Sequence, residues 1–215
     1  MFSGCLGIVF AFQGELEWAS YSILIAAIFD FLDGMLARLL KAYSEIGKDL
    51  DSLADMVSFG VLPSVIIYQL FVESSSTSQW LNFSAFLIAI FSALRLAKFN
   101  NDTRQSENFI GLPTPANALL IASFPFIAYQ ESFFSPYLQN PIFLVLFSLG
   151  IGILLVSEIQ LMSLKFSSKG LKTNAYRYIL VFSSLVLLVL FKFASVPLIL
   201  ILYFILSYIQ FRPTK

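Results

Sequence analysis

Four aspartates, Asp30, Asp33, Asp51 and Asp55, fall in one stretch of a chain that is otherwise strongly apolar. In a helix Asp30 and Asp33 share a face, and so do Asp51 and Asp55. The short stretch from about Leu39 to Lys48 predicts a hairpin that makes the two helices antiparallel neighbours, so that both acidic faces converge. Converging carboxylates repel one another unless a cation lies among them. Oxygen-only ligands suit a hard divalent ion such as Mg²⁺, Mn²⁺ or Ca²⁺, and an ion so held recruits a diphosphate.

The residues between the acids fit such a ligand. Gly34 inside a helix costs about 1 kcal/mol relative to Ala, and Gly47 lies beside the predicted start of the next helix. A missing side chain at each lets a flat group approach the backbone. Ala37 is small and one turn beyond Gly34, and Arg38 offers a forked cation to a phosphate or a carboxylate. Each feature also has a plainer reading. Gly34 and Ala37 can serve close helix packing, and Arg38 can anchor a helix end at the membrane surface. The plainer readings do not account for all of these features in one hairpin.

The elements that carry these residues are membrane helices. The chain has 215 residues, 58% hydrophobic and 12% charged, and a soluble domain of this size carries roughly twice that charge. About 20 apolar residues cross a bilayer as a helix. On that basis the chain is an all-α, polytopic membrane helix bundle of about eight spans. They run from Met1 to Phe12 (a shortened first segment, entered partway), Trp18 to Leu40, Asp49 to Val72 and Trp80 to Phe99. The remaining four are Pro113 to Tyr129, Pro141 to Met162 (which includes Glu158), Ala175 to Phe191 and Ala194 to Phe211, the last two joined by a tight turn. Continuous rather than alternating apolar runs argue against strands. Loop charge alternates. Arg38, Lys41, Lys48, Lys98, Arg104, Lys165, Lys169, Lys172, Arg177, Arg212 and Lys215 fall on one side, and Glu15, Glu17, Glu73 and Glu131 on the other with Lys192. The basic side is expected to be cytoplasmic, with the four aspartates just inside it. Zero net charge gives no bulk attraction to nucleic acid, the absence of His removes imidazole catalysis, and the single Cys5 excludes an internal disulfide.

The stretch Asp30-Phe-Leu-Asp33-Gly34-Met-Leu-Ala37-Arg38, followed by Gly47, Asp51 and Asp55, meets every fixed position of the CDP-alcohol phosphotransferase signature. The chain therefore resembles that family, with a six-helix core over residues 1–162 and residues 163–215 as a basic loop plus two added helices. The resemblance implies that Asp30, Asp33 and Asp51 hold divalent metal (Mg²⁺ or Mn²⁺) near the diphosphate of a CDP-linked donor. It implies that Asp55 binds metal and acts as general base, and that Gly34, Ala37, Arg38 and Gly47 line the donor pocket. It also implies a homodimer in a bacterial inner membrane, with the site facing the cytoplasm. The amphipathic start with a P-N-x-[LI]-T-like motif that is usual in the family is not seen.

Two further stretches resemble the phosphatidylserine synthase branch. One runs on from the motif through Ser58-Phe59-Gly60 to Pro63, and the other joins Arg95-Leu-Ala-Lys98-Phe99-Asn100 to Gly111-Leu-Pro113-Thr114-Pro115-Ala116-Asn117. Lys98, Thr114 and Asn117 depart mildly from the branch pattern. The implied reaction is phosphatidyl transfer from CDP-diacylglycerol to L-serine. Arg95 and Lys98, three apart at a helix end, can bind the serine carboxylate or a donor phosphate, or simply anchor that end. Asn100 and Asn117 can contact substrate. Glycerol 3-phosphate or an inositol phosphate is the alternative acceptor, and a divalent-cation carrier is the alternative from another class.

Overall fold

The structure, a computed structural model, describes residues 1–42, 44–74, 79–102, 109–130, 134–163 and 174–211. Helix α1 (Phe2–Phe12) turns at Gly14 into α2 (Leu16–Leu40), which ends at Lys41 in a left-handed conformation, φ 52°. Ser44 caps α3 (Glu45–Asp55) by accepting from the Gly47 amide at 3.0 Å. This N-cap starts the helix four residues before the expected Asp49, because a serine hydroxyl satisfies an otherwise orphaned first-turn amide. Gly47 consequently lies inside the first turn of α3 rather than ahead of it.

A π-helical segment (Met56–Val61) joins α3 without a break to α4 (Leu62–Glu73). Beyond come α5 (Gln79–Asn82), a 3₁₀ turn (Phe83–Phe86) and α6 (Leu87–Asn101). The next apolar stretch divides at Ser123 into α7 (Thr114–Ala122) and α8 (Phe124–Ala128), with Pro125 in the first turn of the second piece. After α9 (Ser135–Leu138), α10 (Pro141–Val156) ends short of the expected Met162. Residues past its end pair instead as a small antiparallel ladder, β1 (Phe109–Ile110) with β2 (Gln160–Leu161). Gly111, at φ +76°, makes that ladder possible, since a Cβ there would stand 2.6 Å from the Leu155 carbonyl oxygen.

Each of the eight expected apolar segments is helical over most of its length. Three stretches, Glu45–Glu73, Gln79–Asn101 and Ala175–Phe211, are by length and composition long and apolar enough to cross a membrane. The third folds back on itself. α11 (Ala175–Phe191) and α12 (Val196–Phe211) turn at Lys192, φ 49°, and Leu180 and Leu206 meet across the hairpin against Met162. Two hydrogen bonds, one of them buried, tie the hairpin to the end of the preceding bundle. Arg177 Nε donates to the Ser163 carbonyl at 2.7 Å, and Tyr203 Oη donates to the Met162 carbonyl at 2.8 Å. The chain is thus an all-α membrane helix bundle. Of the basic and acidic loop residues, Arg104, Lys165, Lys169, Lys172, Arg212, Lys215 and Glu131 lie outside the described residues.

The core gathers Ile23 and Ala26 of α2, Phe59 of the π segment, Leu62 and Ile66 of α4, Ile88 of α6, Ile121 of α7 and Leu155 of α10. Large apolar side chains elsewhere, such as Phe182 and Val189 on α11, face outward, as a lipid-facing perimeter requires. Glycine sets the closest approaches. A Cβ on Gly7 would meet Leu62 Cδ2 at 2.5 Å and Ser22 Cβ at 2.8 Å, so α1 seats tightly between α2 and α4. One end of the bundle carries Tyr129, which donates to Glu73 at 2.8 Å, and Phe126 stacked on Phe193 at 4.2 Å.

Candidate active site

The buried residues of α2 stop at Ala26, and α3 buries none of its side chains. The second half of α2 and all of α3 therefore stand clear of the packed core as two arms. Their acids meet in the space between. One carboxylate oxygen from each of Asp30, Asp51 and Asp55 lies within 4.8 Å of the others. Asp30 and Asp55 are half-buried and Asp51 is exposed. Asp33 is exposed one turn further along α2, outside that group.

This donor set fits a metal ion. Hard divalent cations take oxygen ligands at about 2.0–2.6 Å, which puts ligand atoms at most about 5 Å apart across the ion. Three carboxylates within that reach, with neither imidazole nor thiolate beside them, suit Mg²⁺-like rather than Zn²⁺-like chemistry. Close like charges on helices are themselves costly without a cation.

The remaining motif residues lie on the same two helices. Gly34 faces open space, with no atom within 4 Å of where its Cβ would stand. Ala37 follows one turn later, half-buried, and Arg38 is exposed in the last turn of α2. Gly47 lies in the first turn of α3, with Ser44 Oγ 2.9 Å from its would-be Cβ. The arm formed by α3 is held to α6. Asn100 Nδ2 donates to Ser52 Oγ at 2.8 Å, Ser52 Oγ donates to the Lys48 carbonyl at 3.2 Å, and Lys48 Nζ donates to the Asn100 carbonyl at 3.3 Å.

Arg95 and Lys98 line a separate cavity of about 310 Å³ between the end of α6 and the end of α10. Arg95 is buried, its guanidinium 5.1 Å from the centre of the Phe99 ring, and Lys98 Nζ donates to the Val156 carbonyl at 3.2 Å. Asp102 and Glu158 line the same cavity. Glu158 was expected inside the sixth span. Because α10 ends at Val156, it stands instead at the cavity mouth. Asn117 is fully buried on α7, and none of the described residues accepts from or donates to its side chain. Sequence reading missed Ser52 as the partner of Asn100, and it missed Asp102 altogether. Ser52 carried a signal in its position between Asp51 and Asp55, whereas Asp102 carried none.

The family model described as CDP-alcohol phosphatidyltransferase matches residues 1–156, the part of the chain that builds both arms and the bundle beneath them. A protein of Helicobacter pylori named CDP-diacylglycerol–serine O-phosphatidyltransferase is 35% identical over 188 residues, 86% of this chain and 77% of the relative. A protein of the same name from Bacillus subtilis is 35% identical over 159 residues, 73% of this chain and 81% of the relative. A Methanothermobacter thermautotrophicus protein named archaetidylserine synthase is 32% identical over 161 residues, 74% of this chain and 64% of the relative. The family-model match includes the aspartate cluster and the relatives align over most of the chain, so the chain belongs to the CDP-alcohol phosphatidyltransferase family.

Proposed function

We propose that this protein transfers the phosphatidyl group of CDP-diacylglycerol to the hydroxyl of L-serine, forming phosphatidylserine and releasing CMP. The observation that carries the reading is the meeting of Asp30, Asp51 and Asp55 between two arms that stand out of the membrane core. The names of the relatives, two of them serine O-phosphatidyltransferases and one an archaetidylserine synthase, support serine as acceptor.

In this reading Asp30, Asp33, Asp51 and Asp55 hold Mg²⁺ or Mn²⁺. An ion held there would supply charge neutralisation to the donor diphosphate and to the departing CMP. Gly34 and Gly47 present bare backbone and Ala37 a single methyl to the nucleotide, and Arg38 caps a phosphate from the end of α2. Asp55, the more deeply placed carboxylate of α3, accepts the proton of the serine hydroxyl. The hydroxyl oxygen forms a bond to the phosphorus that bears diacylglycerol, and the bond from that phosphorus to the bridging oxygen of CMP breaks. Arg95 and Lys98 bind the acceptor. Residues 1–162 form the catalytic unit, and residues 163–215 add the hairpin. The protein works as a homodimer in the bacterial inner membrane with its arms on the cytoplasmic side, where CDP-linked lipid and free serine can meet.

The test is CMP release by the purified chain in detergent with CDP-diacylglycerol and Mn²⁺, supplied in turn with L-serine, glycerol 3-phosphate or no acceptor. Serine-dependent release that disappears in Asp55→Asn is the expected result. Release with glycerol 3-phosphate alone would replace the acceptor and keep the chemistry.

A further inference from the structure

The hairpin of α11 and α12 is fastened to the bundle unevenly. Toward one end Tyr203 Oη and Ser207 Oγ of α12 both bond Met162, the serine accepting from the Met162 amide at 3.1 Å. Toward the other end a cavity of about 500 Å³ lies in the seam between the hairpin and the bundle. Leu120 and Ile127 of α7 and α8, Phe143 and Phe147 of α10, and Ala194 and Ile201 of the hairpin give it three walls. Seven residues of helix separate the members of the first and third pairs, so the cleft runs along the helices for about 10 Å. Its floor at Phe124 is buried, whereas Phe134 and Ile201 at its mouth are more than half exposed, so it opens on the lipid-facing perimeter. Among the described residues that line it, Tyr137 alone carries a polar side-chain atom.

We propose that this cleft seats an acyl chain of a bilayer phospholipid, laid along the helices, and that the chain completes the contact between the hairpin and the bundle. Water is a poor occupant, because an ordered water needs two to four polar partners and the walls are apolar. A helix is about 10 Å across with its side chains, wider than a cleft of this length and volume. An extended protein segment would bring bare N–H and C=O groups against hydrocarbon walls. A void of this size forfeits the dispersion contacts of everything that lines it. The neighbouring solvent that can restore them is the bilayer, and a lipid tail is the part of it with the right shape and polarity. The hairpin is then held at one end by hydrogen bonds to Met162 and at the other by a borrowed hydrocarbon filling.

The test places a fluorescent reporter on the cleft floor of the full chain. Phe124→Trp, in a background of Trp18→Phe and Trp80→Phe, is titrated in detergent with phosphatidylcholine carrying brominated acyl chains. Phe182→Trp, on the exposed face of α11, is the perimeter control. Quenching of the floor indole should saturate at about one phospholipid per chain, as a single site requires, while quenching of the perimeter indole should keep rising with lipid. Ala194→Phe fills the cleft from the hairpin wall, and overpacking of this order should raise the lipid needed for half-maximal floor quenching about tenfold. With the native tryptophans in place, added phospholipid should raise the unfolding temperature of the wild type and leave that of Ala194→Phe unchanged. Ala194→Leu is the smaller filling should phenylalanine prevent folding. A floor indole that brominated chains never quench, beside a perimeter indole that they do, would sink the proposal. Floor quenching that climbs without saturation would mean passing perimeter lipid only and would overturn it too. Floor quenching that appears only on dilution to monomer would give the cleft to a second copy of the chain, again against the proposal.

Discussion

The side-chain amide of Asn100 donates across from α6 to Ser52 Oγ of α3 at 2.8 Å, and the Asn100 backbone carbonyl accepts from Lys48 Nζ at 3.3 Å. Because Ser52 sits between Asp51 and Asp55, this cross-tie fixes the rotation of the arm that carries two of the clustered carboxylates. Asn100→Leu or Ser52→Ala should therefore weaken the metal site with modest effect on the fold. One lost hydrogen bond costs about 0.5–1.5 kcal/mol. The Mn²⁺ concentration for half-maximal CMP release should rise about three- to tenfold, and a metal dependence identical to wild type would confine the tie to local packing.

Gly34 separates ligand binding from folding. Open space before it means that Gly34→Ala meets no clash, and alanine stabilises a helix interior by about 0.5–1 kcal/mol over glycine. Thermal unfolding should be equal or slightly higher in the variant. If the nucleotide lies against this backbone, the KM for CDP-diacylglycerol should rise by at least tenfold, a combination that no purely structural glycine would produce.

Gly7 should behave in the opposite way. A methyl there would collide with Leu62 Cδ2 and Ser22 Cβ, and overpacking of this kind costs about 1–3 kcal/mol. Gly7→Ala should unfold at a distinctly lower temperature in detergent, whereas Gly150→Ala, with no atom within 4 Å, should not.

Metal removal should order the aspartates. A chelator should abolish CMP release, and Mn²⁺ or Mg²⁺ should restore it. Asp30→Asn and Asp51→Asn should raise the metal requirement by tenfold or more. Asp33→Asn should raise it less, since Asp33 lies outside the group within 4.8 Å. Loss of general-base assistance is worth about 10²–10⁴ in rate, so Asp55→Asn should remain crippled even at saturating metal. Equal responses at Asp33 and Asp55 would contradict the geometry.

The acidic hairpin was legible in the chain because helical spacing of three and four residues places carboxylates on a face whatever surrounds them. The eight apolar segments were legible for a similar reason, since lipid imposes length and hydropathy directly. The β1–β2 pairing was not, because two residues on each side owe their conformation to Gly111 and to the chain leaving α10 early. The start of α3 turned on Ser44, a single hydroxyl whose capping bond outweighs the polar character of the next few residues. Glu158 could not be assigned to the cavity until the end of α10 was known. Contacts such as Asn100 with Ser52 join residues far apart in the chain and leave no periodic trace in either.

The π segment after Asp55 has a rotational consequence. In an uninterrupted α-helix, positions 51, 55, 62, 66 and 70 would lie along a single stripe. Asp51 and Asp55 would then point the same way as Leu62, Ile66 and Leu70, which are buried. The wider turn of Met56–Val61 absorbs about one extra residue, equivalent to roughly 100° of helical phase. That offset lets one continuous helix give its apolar stripe to the core and its acids to the gap between the arms. The segment acts as a phase shifter between a membrane anchor and a catalytic arm. Removing one residue from it would swing both carboxylates as a block toward the packed core, without altering any residue of the motif.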